Sequence, residues 1–236
     1  MPDTTIQLAV LDMAGTTVAD GGLVLRAFEA AATAAGIEPE GPRREQARRY
    51  VVDTMGQSKI EVFRALLGDE AAAQAANLAF EAAYDALVDE ADIAPIPGAV
   101  EAITALRAAG VRVALTTGFS RGTQDKLLAA LGWAELADLT LAPSDAGRGR
   151  PYPDMVLTAA LRLGVDAVDR IAVLGDTTSD VATGLAAGAG IVAGTLTGAH
   201  TADQLRAAGA THVIASVAEF PALVLPPDST AAAVAV

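Results

Sequence analysis

The sequence predicts an α/β fold: a doubly wound, Rossmann-like parallel sheet with an all-helical segment inserted after its first strand. Three observations carry this. Short apolar runs alternate with helical patterns. Glycines 110, 132, 164 and 188 follow four of those patterns as C-terminal stops. The alternation then lapses between Asp20 and Ala94, where helical periodicity continues and no convincing strand occurs. Strands alternating with helices favour a parallel sheet covered on both faces.

Taken in order, the first predicted strand is Ile6–Leu11. The insert follows, with predicted helices at Leu23–Ala35, Arg44–Met55, Lys59–Leu67 and Glu70–Glu90. Gly21-Gly22 and Pro95-Ile96-Pro97-Gly98 bracket it as hinges. The alternative is one compact domain with long first helices; the paired hinges favour an insert. The sheet resumes at Val111–Leu115, Asp138–Leu141 and Ile171–Leu174, with Gly190–Ala193 as a candidate fifth strand. Helices are predicted at Val100–Ala109, Arg121–Leu131, Pro153–Leu163 and Ser179–Ala187, with a late one near Ala202–Ala208. The expected organisation is a core of residues 1–19 and 95–225, a helical cap of 20–94, and a flexible tail of 226–236.

Composition narrows the function. A content of 52% hydrophobic residues in 236 is ample for a buried core. No apolar stretch is long enough to span a bilayer, and Met1-Pro2-Asp3-Thr4-Thr5 lacks signal-peptide character, so a cytoplasmic protein is expected. With no cysteine there is no disulfide framework or thiolate chemistry. A net charge of −13 repels a phosphate backbone, so no nucleic-acid partner is expected. A small anion can still bind where cations are concentrated. Only Lys59 and Lys126 are lysines, and arginine cannot act as an amine nucleophile. A homodimer is compatible with the sequence.

Four stretches follow predicted strands, and sites in such sheets form beyond the strands' carboxyl ends. Asp12 follows the first; alone it is equally well a strand-end cap. In Ala114-Leu115-Thr116-Thr117-Gly118-Phe119-Ser120-Arg121, hydroxyls and free N–H groups suit a phosphoryl oxygen, while Ser120 as a helix N-cap fits nearly as well. Arg150, before Pro151-Tyr152-Pro153, offers a fork for two anionic oxygens, or is a solvated loop arginine. Gly175-Asp176 with Asp180 four residues on can hold a hard cation directly or through water, or supply a single N-cap.

In this order at these strand ends, the four together resemble the haloacid dehalogenase superfamily, to about residue 225. The resemblance implies an aspartate nucleophile, a Ser/Thr and a Lys/Arg holding the transferred group, late acids binding magnesium, and a helical cap. Phosphatases of that superfamily carry a second aspartate two residues after the first, to protonate the departing alkoxide. Here that place is Ala14, which has no proton to give. A carbon leaving group instead needs an electron sink, and a lysine imine is one. Lys59, after Met55-Gly56 in the insert, is the candidate, though a lysine there is also an ordinary solvated one.

Asp12-Met13-Ala14-Gly15-Thr16-Thr17, Met55-Gly56-x-x-Lys59, Thr116-Thr117-Gly118, Gly149-Arg150-Pro151 and Gly175-Asp176-x-x-x-Asp180 together resemble the phosphonoacetaldehyde hydrolase (phosphonatase)-like branch. The resemblance implies attack on phosphorus by Asp12, an imine on Lys59, and catalytic roles for Thr117 and Arg150. It implies substrate contacts from Thr116, Gly118, Met55 and Gly56. Mg²⁺ would be held by Asp12, the Ala14 carbonyl and Asp176, with Asp180 bound through water or orienting the others. Three positions depart from the branch: Val62 replaces a histidine, Gly22 a cysteine and Phe119 an aromatic hydroxyl.

The expected function is Mg²⁺-dependent hydrolysis of the C–P bond in a small carbonyl-bearing phosphonate, phosphonoacetaldehyde or a close relative. The alternatives are a phosphate monoester phosphatase or phosphosugar mutase of the same fold, and a non-catalytic phosphate-binding protein. The imine requires a neutral amine. Val62, Phe63 and Leu66 are expected to wall Lys59 off from water, with Arg64 adding positive charge if it faces inward.

Overall fold

The computed structural model describes residues 5–90 and 93–226. Residues 1–4 and 227–236, which include the start of the chain and almost all of the predicted tail, lie outside the described residues. Six parallel strands form one sheet: β1 (Leu8–Asp12), β2 (Arg112–Thr116), β3 (Leu139–Leu141), β4 (Ile171–Gly175), β5 (Ile191–Thr195) and β6 (His212–Ile214). Their order is β3-β2-β1-β4-β5-β6. The order reverses between β1 and β4, and there the chain leaves a crevice at the strands' carboxyl ends.

Four helices, α1 (Leu23–Ala34), α2 (Pro42–Asp53), α3 (Lys59–Leu67) and α4 (Glu70–Glu90), follow β1 with no strand between them among the described residues. The later helices are α5 (Ala99–Ala108), α6 (Arg121–Leu131), α7 (Asp154–Leu163), α8 (Thr178–Ala187), α9 (Ala202–Ala207) and α10 (Phe220–Val224). Alternation along β1 sets the two faces. Leu8 and Val10 pack with Met155 and Val156 of α7, whereas Ala9 and Leu11 share a cluster with Ile103 and Leu106 of α5.

The observed elements depart from the predicted ones at several ends. β1 runs on to Asp12, which lies opposite Thr116 in the ladder. It stops because the Met13 carbonyl then accepts the N–H groups of Thr16, Thr17 and Val18 at 2.8–3.1 Å, closing a tight turn. α2 starts earlier, at Pro42, whose fixed φ and missing N–H suit a first helical turn. β6 and α10, of three and five residues, are additions too short to show periodicity.

The helical insert and the sheet share one apolar cluster. Its spine is aromatic. Phe28, Phe63, Phe80 and Tyr84 of α1, α3 and α4 follow one another ring to ring at 5.8–6.2 Å. The last ring meets Phe119, in the loop after β2, at 4.5 Å. The insert therefore covers the carboxyl end of the sheet.

Candidate active site

The strand ends build the floor of the crevice. Asp12 closes β1 and is buried. Its Oδ1 lies 2.6 Å from the guanidinium of Arg150, whose Nε lies 2.9 Å from Oδ1 of Asp180. Arg150 also donates to the Thr116 hydroxyl at 2.9 Å and to the Gly56 carbonyl at 3.3 Å. The loop arginine is thus a buried clamp among four partners.

Asp176 follows β4 directly and accepts the Ala199 N–H at 2.7 Å and the Thr16 hydroxyl at 3.2 Å. Asp180 is the third helical residue of α8. It completes a capping box with Thr177, accepting that residue's N–H at 3.1 Å and its hydroxyl at 2.5 Å. The N-cap is therefore Thr177. The spacing that suggested a metal pair also encodes a helix start, with Asp180 as the acid of the capping box.

Asp12, Asp176 and Asp180 bring ligand oxygens within 4.8 Å of one another. Three buried carboxylates face one buried arginine, a set of hard oxygen donors with negative charge to spare. Burial pushes the Asp12 carboxyl well up, and Asp180 and Asp176 add to this against the pull of Arg150. Asp176 is raised to about 6, first by burial and then by Asp180. Burial alone would lower Arg150; Asp12 and Asp180 outweigh it and hold its pKa above the usual value. A divalent cation among these carboxylates would relieve the same repulsion.

The roof is built around Lys59, the first residue of α3 and only 9% exposed. Its Nζ sits 5.9 Å from the Phe80 ring centre and 5.8 Å from that of Phe119. Its one hydrogen bond among the described residues is a long 3.5 Å contact to the Gln57 carbonyl. Burial brings the amine down to about 8, with Arg150 acting in the same sense and Asp20 against it. The positive end of α3 also disfavours an ammonium there. Arg64 is not among the charges that act on the amine. It is turned outward, 2.5 Å from Glu61 and 2.8 Å from Glu70. The dry wall at the amine comes from Phe80 and Phe119, while Val62 and Phe63 pack inside the insert.

Floor and roof meet over a cavity of about 270 Å³ lined by Asp12, Lys59 and Asp176. The seam is backbone against backbone. A Cβ on Gly118 would stand 2.7 Å from the Gln57 carbonyl oxygen and 2.8 Å from that of Gly56. Gly56 adopts φ +85° and leaves no room for a side chain beside Thr177.

A family model of haloacid dehalogenase-like hydrolases matches residues 6–188. The chain belongs to this family. Among curated relatives of this haloacid dehalogenase-like chain, phosphonoacetaldehyde hydrolase of Bacillus cereus is 32% identical over 202 residues, 78% of this chain and 73% of that one. A protein of Dickeya dadantii named probable phosphatase IndB is 30% identical over 205 residues, 85% of this chain and 86% of that one. Phosphonoacetaldehyde hydrolase of Salmonella typhimurium is 31% identical over 154 residues, and the match spans 57% of its length. A solved structure of a phosphonoacetaldehyde hydrolase-like protein from Oleispira antarctica superposes with a TM-score of 0.79. It is 26% identical, and the match covers 97% of this chain and 94% of that one.

Nine of the residues expected from the sequence line the cavity of this haloacid dehalogenase-like chain: Asp12, Ala14, Met55, Gly56, Lys59, Thr117, Gly118, Arg150 and Asp176. Thr116 and Asp180 stand behind it and grip Arg150. No hydrogen bond among the described residues engages the Gly118 N–H or the Ala14 carbonyl. Ser120 caps α6, accepting the Thr123 N–H, so the helix-cap use of the Thr-Thr-Gly-Phe-Ser turn is the one observed.

Three contributors were not anticipated. The loop after β5 brings Thr197, Gly198 and Ala199 to the cavity, where the Ala199 N–H holds Asp176 and Thr197 donates to the Gly15 carbonyl at 2.7 Å. His200 accepts the Thr178 N–H at 2.8 Å through Nδ1, and its other ring nitrogen lies 3.4 Å from the Val52 carbonyl of α2. Asp20, between β1 and α1, also lines the cavity. Its sequence signal, an acid directly before Gly21-Gly22, is the one that marked a hinge.

Proposed function

We propose that this haloacid dehalogenase-like hydrolase cleaves the C–P bond of a small carbonyl-bearing phosphonate. Phosphonoacetaldehyde or a close relative is the substrate. One observation carries the reading: a nearly dry lysine faces the nucleophilic aspartate across one cavity, while Ala14 stands where an ester phosphatase needs an acid. The similarity to phosphonoacetaldehyde hydrolase of Bacillus cereus supports it.

Lys59 Nζ adds to the substrate carbonyl and, with loss of water, becomes an iminium. A carboxylate oxygen of Asp12 then attacks phosphorus. The C–P bond breaks, and its electron pair moves into the carbon chain as an enamine. Arg150, the Thr117 hydroxyl and the Gly118 N–H would bind phosphoryl oxygens. Water hydrolyses the aspartyl phosphate, and protonation and hydration of the enamine release the aldehyde. Asp12, the Ala14 carbonyl and Asp176 would hold Mg²⁺, with Asp180 behind them. The ion, when bound, offsets charge on the carboxylates and on the transferring phosphoryl group.

Two features favour a relative of phosphonoacetaldehyde as much as the aldehyde itself. A second cavity of about 480 Å³ adjoins the first and shares Lys59, Phe119 and Arg150 with it. It leaves room for a carbonyl compound bulkier than a two-carbon aldehyde. Val62, Gly22 and Phe119 remove three polar groups of the phosphonatase pattern and fit a changed substrate.

Ester phosphatase or mutase activity is the second reading, favoured by the similarity to the protein named probable phosphatase IndB. A non-catalytic phosphate binder fits least, since such a role has no use for a buried amine. Phosphate release from a panel of carbonyl phosphonates and phosphomonoesters, with Mg²⁺ and with EDTA, tests the reading. Phosphonates should lead, EDTA should silence the enzyme, and Lys59→Arg should abolish phosphonate turnover. Phosphomonoester turnover that survives Lys59→Arg, with no phosphonate cleaved, would select the phosphatase.

A further inference from the structure

We infer that Asp20 is the acid–base residue of the imine steps, giving a proton as water leaves the carbinolamine on Lys59 and taking it back when water returns. This rests on the C–P reading above and deepens it. An imine cycle needs a group that both donates and accepts beside the amine. The residues that would supply polar groups there in the phosphonatase pattern are absent at Val62, Gly22 and Phe119.

The geometry selects Asp20. It lines the same cavity as Lys59 and Asp12. Among the described residues it forms no ion pair with Lys59, yet each charge acts on the titration of the other. Amine and acid thus share one cavity without pairing to each other. The carboxylate is fixed from behind: it accepts the Gly22 N–H at 3.0 Å and the Val24 N–H at 3.3 Å. Burial raises its carboxyl above the usual range, which favours a group able to carry a proton in mid-cycle. The other ionisable groups around the pair are Asp12, Asp176 and Arg150 on the floor and Tyr84 on α4. The three floor groups face a cation site or one another, and burial pushes the Tyr84 phenol far up.

The proton count closes. Addition of the neutral amine to the carbonyl gives a carbinolamine, with one proton passing from nitrogen to oxygen. The Asp20 carboxylic acid protonates that hydroxyl, water departs with the C–O electron pair, and an iminium and the Asp20 carboxylate remain. C–P cleavage converts the iminium to an enamine, which solvent protonates on carbon to restore an iminium. Water adds to it and gives its proton to the Asp20 carboxylate. Collapse of the new carbinolamine returns the amine and the aldehyde, with Asp20 again protonated.

A structural role also exists, because the carboxylate caps the start of α1. Asp20→Asn separates the two: its amide oxygen can still accept one of the N–H groups, which the carboxylate takes on separate oxygens, but it cannot exchange a proton at neutral pH. The test is reductive trapping of acetaldehyde on Lys59 with cyanoborohydride in metal-free protein, followed by the mass of the ethylated peptide. The thermal midpoint is measured in parallel. For Asp20→Asn we expect a folded protein, its midpoint lowered only by the loss of one backbone hydrogen bond, and labelling slower by roughly 100-fold, the scale of acid–base assistance. Removing a nearby negative charge, by contrast, frees more neutral amine. A purely electrostatic or capping Asp20 therefore predicts labelling at neutral pH as fast as wild type or faster, and that result overturns the inference. Asp20→Glu should recover part of the rate. If wild type itself gives no adduct on Lys59, the imine reading falls and this assignment falls with it. Adduct formation at wild-type rate in Asp20→Asn removes Asp20 alone.

Discussion

The floor of the cavity gathers three carboxylates, with oxygens within 4.8 Å of one another, and a guanidinium paired to two of them; the roof holds one amine near two phenyl rings. On the floor Asp12 and Asp180 lie 2.6 and 2.9 Å from Arg150, while Asp176 is held by the Ala199 N–H and the Thr16 hydroxyl, so opposite charge and donors offset much of the cost of burial. In the roof the charge is weakened instead: burial lowers the Lys59 amine to about 8, so that a fraction of it is neutral near pH 7. Pairing suits a surface that must receive an anion and a cation repeatedly. Desolvation suits a nucleophile that must be free when a carbonyl arrives. On the function proposed above, the floor would serve phosphoryl transfer whatever the leaving group, and the roof would set which leaving group can depart.

The largest effect expected from breaking this division is on the floor. Asp12→Asn removes the nucleophile and should lower phosphate release on the order of 10⁴-fold or more for every substrate in the panel. The protein should remain folded by circular dichroism. Residual turnover near wild type would mean that another group attacks phosphorus.

The roof should show its cost in stability. Lys59 titrates near 8 in the folded chain, against 10.5 for an unperturbed lysine. Between those values the unfolded chain binds more protons, so wild-type stability should rise with pH across that window. Below it the buried amine destabilises the fold by up to about 3 kcal/mol, from the size of the shift. Lys59→Met should therefore be inactive on phosphonates yet more stable than wild type at pH 7, and should lack the rise from pH 8 to 10.5. Urea melts across this range decide it; a less stable methionine variant would show the lysine paired more strongly than its surroundings indicate.

The smallest effect is the sharpest discriminator. If the free amine begins the reaction, kcat/KM on the phosphonate should climb about one decade per pH unit and level off near pH 8. Lys59 has no such duty in ester hydrolysis, so a profile flat between roughly pH 6.5 and 8 would favour the phosphatase reading.

The sequence displayed the floor more clearly than the roof, for a physical reason. A parallel strand delivers its next residue to the sheet's carboxyl edge, so Asp12, Thr117 and Asp176 could be placed by counting from apolar runs. Lys59 could be assigned to a helix but not to a direction. Arg64 shows the limit. Five residues on, it lies about 140° around the helix from Lys59, and the acids Glu61 and Glu70 claim it outside. The loop of Thr197, Gly198 and Ala199 works partly through a backbone N–H, which no side-chain type announces. Asp20 was concealed by its neighbours, since two glycines after an acid read as a hinge. β6 and α10 are too short to carry a period.

The aromatic spine has a thermal consequence. Phe80 and Tyr84 belong to the helical insert and Phe119 to the sheet's loops, so parting the two would wet rings that are now dry. Exposing apolar surface raises heat capacity, and excluded salts such as sulfate oppose it. If product escape requires that parting, the enzyme's Arrhenius plot will bend while its chemistry stays simple, and sulfate will slow the steady state without touching the first turnover. Temperature and solvent would then act on this catalyst chiefly through a few rings, at a distance from the bond it breaks.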